Sequence, residues 1–201
     1  LLEHIAKYNK KTILSSGMST ISEINIAIKT LYKYGLNKKN LILMQCNSAY
    51  PTPLKDLNLK VISYFKKKYD IKVGLSDHSE GILAPIVAAG LGATYIEKHF
   101  TISKSLPGPD HICSLEPKEM KKLVDKLRET EIILGDSQKK ITNSERPNLK
   151  VVRKSIYAKK KIFKGDRFSW ENITLKRPGS GLPPSKFKKL LGKKSSQNYK
   201  I

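Results

Sequence analysis

Three of the four histidines in the chain fall between Lys72 and His111, and so does a Pro-Gly-Pro-Asp turn at Pro107–Asp110. His78 and His99 each close a short strand-like run, and Glu97 stands one pleat behind His99. Two imidazoles converging with a carboxylate nearby are a donor set for a divalent metal with open coordination positions, the arrangement a Lewis-acid site needs. Taken singly, His78 also reads as a loop residue and His99 as a packed core histidine. It is their placement at two strand ends that brings in the ligand reading.

The elements that must position them can be read from the flanking pattern. Lys72–Asp77 reads as a strand, residues 82–91 as an apolar helix with Pro85 in its first turn, and residues 94–100 as the next strand. Gly90 and Gly92 end the helix. A strand–helix–strand unit of this kind crosses over right-handedly, so its strands run parallel as neighbours. Alternation then gives Gly74, Ser76 and His78 one face, and Tyr95, Glu97 and His99 the matching face. Both histidines come to the carboxyl ends of their strands, where α/β barrels and open sheets carry their sites.

The same unit recurs. Thr12–Ser15 reads as a strand, and Thr20 with Glu23 has capping-box spacing before a helix striped by Ile21, Ile24, Ile28 and Leu31. Leu41–Cys46 reads as a buried parallel strand, followed by a helix carrying Leu57, Val61 and Phe65. A fourth helix begins near Pro117 and is expected to bury Met120, Leu123, Val124 and Leu127. Four strand–helix units with polar residues at the strand ends make half of an eightfold barrel, since a complete one takes about 250 residues. The fold class is therefore α/β, the C-terminal half of a TIM (β/α)8 barrel over residues 1–135. With no initiator Met, the chain is expected to be the C-terminal part of a longer protein.

After Gly135 the pattern changes. Residues 136–150 are polar and read as an extended linker. Residues 151–201 form a second, small domain with β-prone pieces at Ser155–Ala158 and Ile162–Phe163, the turn Arg177-Pro-Gly-Ser-Gly181, and a short helix over Ser185–Leu191.

Composition narrows the function classes. The formal net charge is +22, which by itself allows a nucleic-acid binder. The cations are nearly all Lys spread along the chain, however, and the arginines are Arg128, Arg146, Arg153, Arg167 and Arg177. No aromatic-interleaved basic motif or zinc-finger spacing is present, so no nucleic-acid partner is expected. The field suits anionic substrates. No apolar run is long enough to span a membrane and the start has no signal-peptide layout, so no membrane partner is expected either. Cys46 and Cys113 make no disulfide framework, which points to the cytoplasm.

GLSDHSEG at residues 74–81, TYIEKHFT at 94–101 and PGPDH at 107–111 resemble, in this order and spacing, the N-acetylneuraminate (sialic acid) synthase family, which includes the legionaminate and pseudaminate synthases. ILSSGMST and QCNSAYPTP match the same family at two earlier strand ends, with Asn47 where the family commonly has Thr. Residues 151–201 resemble the antifreeze-like (SAF, β-clip) domain that closes these enzymes. The resemblance implies a divalent metal on His78 and His99, most often Mn2+ with Mg2+ or Co2+ as alternatives. It implies that Ser15 and Ser76 contact phosphoenolpyruvate, that Glu97 lies beside the metal, and that Ser48 and Tyr50 line the substrate side. Asp110 would handle the acceptor sugar. Arg177 would reach that sugar in the partner's barrel, within a homodimer that exchanges its SAF domains.

The reaction so implied joins phosphoenolpyruvate to the open-chain aldehyde of an N-acetylated amino sugar, by default N-acetylmannosamine, giving a nonulosonic acid and phosphate. Asp110 and Glu97 are the residues expected to act in catalysis. The family's essential glutamate and phosphate-binding lysines belong to earlier strands, so residues 1–201 alone are expected to be inactive. The alternatives are a legionaminate- or pseudaminate-type acceptor, or a sugar-binding barrel and SAF fragment without turnover.

Overall fold

The structure, a computed structural model, describes residues 1–201. It divides into two compact units, Leu1–Ser137 and Gln138–Ile201.

The first unit runs α1 (Leu2–Lys7), β1 (Thr12–Ser15), α2 (Ile21–Lys33), β2 (Leu41–Cys46), α3 (Lys60–Tyr69), β3 (Lys72–Asp77), α4 (Leu83–Gly90), β4 (Tyr95–Lys98) and α5 (Pro117–Leu134). The strands form one sheet in the order β1-β2-β3-β4 and every pairing is parallel. This is the half-barrel sheet expected from four consecutive βα units.

Register assigns the faces. Ser15, Met44, Gly74 and Tyr95 are successive partners across the sheet, and Cys46, Ser76 and Glu97 are partners one pleat further toward the carboxyl ends. That face carries the site. The opposite face offers Leu41, Leu43, Val73 and Leu75 to a helical layer supplying Ile24, Ile28, Leu31, Ile62, Phe65, Ala84 and Ala88, and these residues form one buried core. Gly74 is dictated by its neighbours on the site face. A Cβ there would lie 2.3 Å from Met44 Sδ and 2.5 Å from the Tyr95 carbonyl oxygen.

Local sequence explains the helix starts. Thr20 accepts from the Glu23 amide through its side chain while Glu23 accepts from the Thr20 amide, so both halves of the capping box are made. Pro85 is buried within the first turn of α4, where a missing N–H costs nothing. Three expectations need correction. Leu57 is buried but precedes α3, as the residue closing a 3-10 turn over Leu54–Asp56. The last strand is shorter than residues 94–100, ending at Lys98. In α5 only Leu123 is buried, while Val124 is exposed and Met120 and Leu127 are partly covered. Those four positions span a wide stripe, whereas a helix on one side of a half-barrel sheet covers a narrow one.

The stretch read as an extended linker is largely exposed, yet it contains a Thr142–Glu145 box, a 3-10 turn at Arg146–Asn148 and α6 (Leu149–Val152). The second unit continues with β5 (Ser155–Ala158), β6 (Ile173–Lys176) and α7 (Phe187–Leu190). β5 and β6 pair antiparallel around a small core of Ile162, Phe168, Ile173 and Phe187. No helix in the chain is long and apolar enough to cross a membrane.

Candidate active site at the strand ends

The polar residues gather where β2, β3 and β4 end. His78 follows β3 and is buried, and its Nδ1 lies 2.7 Å from the Asn47 carbonyl oxygen. A carbonyl only accepts, so Nδ1 carries the proton and a neutral ring keeps its lone pair on Nε2. The His78 carbonyl in turn accepts from the Thr52 amide at 3.0 Å. Ring and backbone of His78 are thus tied to the loop after β2, which Asn47 and Thr52 organise through their own side chains.

His99, directly after β4, approaches His78 edge-on, with ring centroids 5.2 Å apart and planes at 84°. Its Nδ1 is 3.9 Å from Asp110 Oδ2, and the Asp110 side chain is 58% exposed. Tyr50 covers the pair, stacked on His78 at 4.1 Å and tilted against His99 at 5.4 Å. Partial burial, followed by the nearby Cys46 and Asp110, raises the Tyr50 phenol above its ordinary value and keeps it protonated as a donor. Burial likewise pushes the Cys113 thiol up.

One pleat deeper, the buried Ser76 hydroxyl donates to Glu97 Oε1 at 2.7 Å. Ser15 lies on the same face of the sheet with β2 between it and β3, exposed, its hydroxyl accepting from the Gly17 amide. Ser48 is partly buried, with its Oγ against Gly17, where a Cβ would fall only 2.4 Å away. The structure therefore brings His78, His99, Tyr50 and Asp110 together, with Ser76 and Glu97 beneath them. It does not build a three-donor cluster. No group of three or more His, Cys, Asp or Glu side chains is arranged to hold a metal, and the Glu97 carboxylate is engaged by Ser76.

Arg177 belongs to the second unit, where its Nε donates to the Val152 carbonyl oxygen at 2.8 Å ahead of a cis Arg177–Pro178 peptide. Tyr157 closes this turn by donating to the Pro178 carbonyl oxygen at 2.9 Å.

Sequence reasoning missed the groups behind the histidines. Asp77 and Lys98, each immediately before a histidine, form an ion pair of 2.8 Å with side chains 0% and 2% exposed. Alternation could have found them. It turns both toward the helical layer, where a charge survives only with a partner.

The model of the NeuB family matches residues 1–139, and that of the SAF domain matches residues 153–200. N,N'-diacetyllegionaminic acid synthase of Campylobacter jejuni is 45% identical over 99% of this chain and 60% of its own length. Pseudaminic acid synthase of the same species is 43% identical over 98% of this chain and 57% of its own. The crystal structure of N-acetylneuraminic acid (sialic acid) synthetase from Leptospira borgpetersenii in complex with citrate is 39% identical. It superposes with a TM-score of 0.67 over 73% of this chain and 50% of that one. This chain thus spans about 60% of the length of the curated relatives it matches. With the half-barrel sheet, the paired strand-end histidines and both family models in agreement, the chain belongs to the NeuB family.

Proposed function

We propose that the protein carrying these residues condenses phosphoenolpyruvate with the open-chain form of an N-acetylated amino sugar. The observation that carries the reading is the perpendicular approach of His78 and His99 at neighbouring strand ends, above the Ser76–Glu97 row. In the reaction, C3 of phosphoenolpyruvate bonds to the aldehyde carbon, the aldehyde oxygen takes a proton, water adds at C2, and phosphate leaves. The names of the relatives, synthases of legionaminic, pseudaminic and neuraminic acids, support this class. The 45% identity to N,N'-diacetyllegionaminic acid synthase favours a diacetylated acceptor over N-acetylmannosamine.

The donor set fits a divalent ion held by two imidazoles, with the remaining positions left to water and substrate, and Mn2+ is the proposed ion. When bound, such an ion supplies Lewis-acid polarisation of the aldehyde. This chain's own residues would do the rest. Asn47 would orient the His78 ring, Asp110 lies beside His99, and Tyr50 would cover the pair and offer a phenolic proton. Ser76 and Ser15 present hydroxyls to phosphoenolpyruvate, and Ser48 lines the substrate side. Glu97 is placed to exchange a proton through Ser76, and Asp110, open to solvent, would accept hydrogen bonds from the sugar hydroxyls.

Residues 1–135 would serve as the catalytic half-barrel, 136–150 as a linker and 151–201 as the antifreeze-like domain. In a homodimer exchanging these domains, Arg177 would reach the partner's acceptor. The cytoplasm is the proposed location, supported by two free cysteines. Residues 1–201 alone would turn over no substrate, because four strands present only one side of a barrel-end site.

The test is phosphate release by the complete reading frame with phosphoenolpyruvate and manganese, assayed with N-acetylmannosamine and with diacetylated acceptors in parallel. Release with one sugar that is lost on chelation, and lost again in His99→Ala, is the expected result. Release that survives both chelation and His99→Ala removes the metal assignment. No release with any sugar from folded protein removes the reaction.

A further inference from the structure

Behind the two histidines lies a closed polar network that takes no part in the proposed chemistry. Asp77 and Lys98 are register partners across β3 and β4. Their side chains meet at 2.8 Å on the helix-facing side of the sheet and are essentially inaccessible. The other Asp77 oxygen, Oδ1, accepts from the Ser79 amide at 3.0 Å and from the Ser79 hydroxyl at 2.8 Å. The Lys98 ammonium also donates to the Ser79 carbonyl oxygen. Ser79 itself is fully buried.

The residues on both sides of His78 are therefore clamped to the residue preceding His99. A buried ion pair is a poor device for stability, since apolar side chains of similar volume fill such a place at least as well. It is a good device for geometry, because it fixes two backbones relative to each other at one point. That point is formed by the two residues immediately before His78 and His99 in the chain. We infer that Asp77, Lys98 and Ser79 are positioning residues that hold the His78 and His99 rings in the separation and orientation a divalent cation needs. This inference rests on the metal reading of that histidine pair.

Two readouts on the full chain test it. Manganese affinity is measured by the electron paramagnetic resonance signal of the free ion, and the His78 ring is followed by 15N NMR without metal. The variant Asp77→Leu with Lys98→Met removes both charges and leaves none unpaired. Lys38→Met with Asp70→Leu removes an exposed pair elsewhere and serves as the control. The buried double variant is expected to bind manganese about 10- to 100-fold more weakly, the range seen when groups supporting metal ligands are lost. Its His78 ring is expected to lose the single Nδ1-protonated form, while the control keeps both properties.

If the buried variant does not fold, Asp77→Asn with Lys98→Met replaces it, retaining an acceptor for Ser79. Wild-type affinity and an unchanged ring signal in a folded variant overturn the inference. If the unaltered chain binds no manganese, the metal reading fails separately. The ring signal then decides alone: averaging upholds positioning, and an unchanged single form overturns it.

Discussion

In the metal role proposed for His78, the hydrogen bond on its other ring nitrogen would fix the ring's tautomer and direction. His78 makes that bond by donating from Nδ1 to the Asn47 carbonyl oxygen. Because the contact is to the backbone oxygen, the Asn47 side chain is left to shape the loop through Asp56 and Ala49. Gly74 is the other residue whose identity is forced. Inside β3, it is not among the positive-φ glycines and needs no conformational freedom, only an absent side chain. Met44 Sδ can move but the Tyr95 carbonyl cannot, so Gly74→Ala is expected to destabilise the first unit by about 1–3 kcal/mol. Urea denaturation measures this, and an unchanged midpoint would mean that the sheet yields at this point.

At the scale of elements, the strands place chemistry and the helices place stability. The strands turn Leu43, Val73 and Leu75 toward the helical layer, while Ser76, His78, Glu97 and His99 stand at or just beyond the carboxyl ends on the other face, so burial of the apolar face orients the site. The capping box of α2 shows the complementary case, a purely structural device that sequence spacing revealed in full. Removing it in Thr20→Ala is expected to cost about 1 kcal/mol with no change in manganese affinity. Thermal melts and metal titration together check this. A loss of metal binding there would mean that α2 and the strand ends are more tightly coupled than their packing implies.

For the whole molecule, the division into two units is the dominant feature. Between Leu134 and Arg146 there is no helix or strand, and the side chains are exposed. Trypsin is expected to cut first at Lys139 or Lys140, giving two fragments that each keep a core, identifiable by mass. First cleavage inside 155–195 would show instead that the small unit is the less stable body. What the sequence by itself determined was the class and the address of the site. Period-two and period-3.6 patterning is set by local geometry, so four βα units, the capping box and the strand-end placement of His78, His99, Ser76 and Glu97 could all be read without coordinates. The tertiary structure alone decided which of these groups touch. Only packing tells that Glu97 is held by Ser76, that Tyr50 lies on His78, and how closely Asp77 and Lys98 meet on the helix-facing side. Such contacts join residues from different strands and loops, and their distances depend on sheet register and burial, which no local pattern encodes.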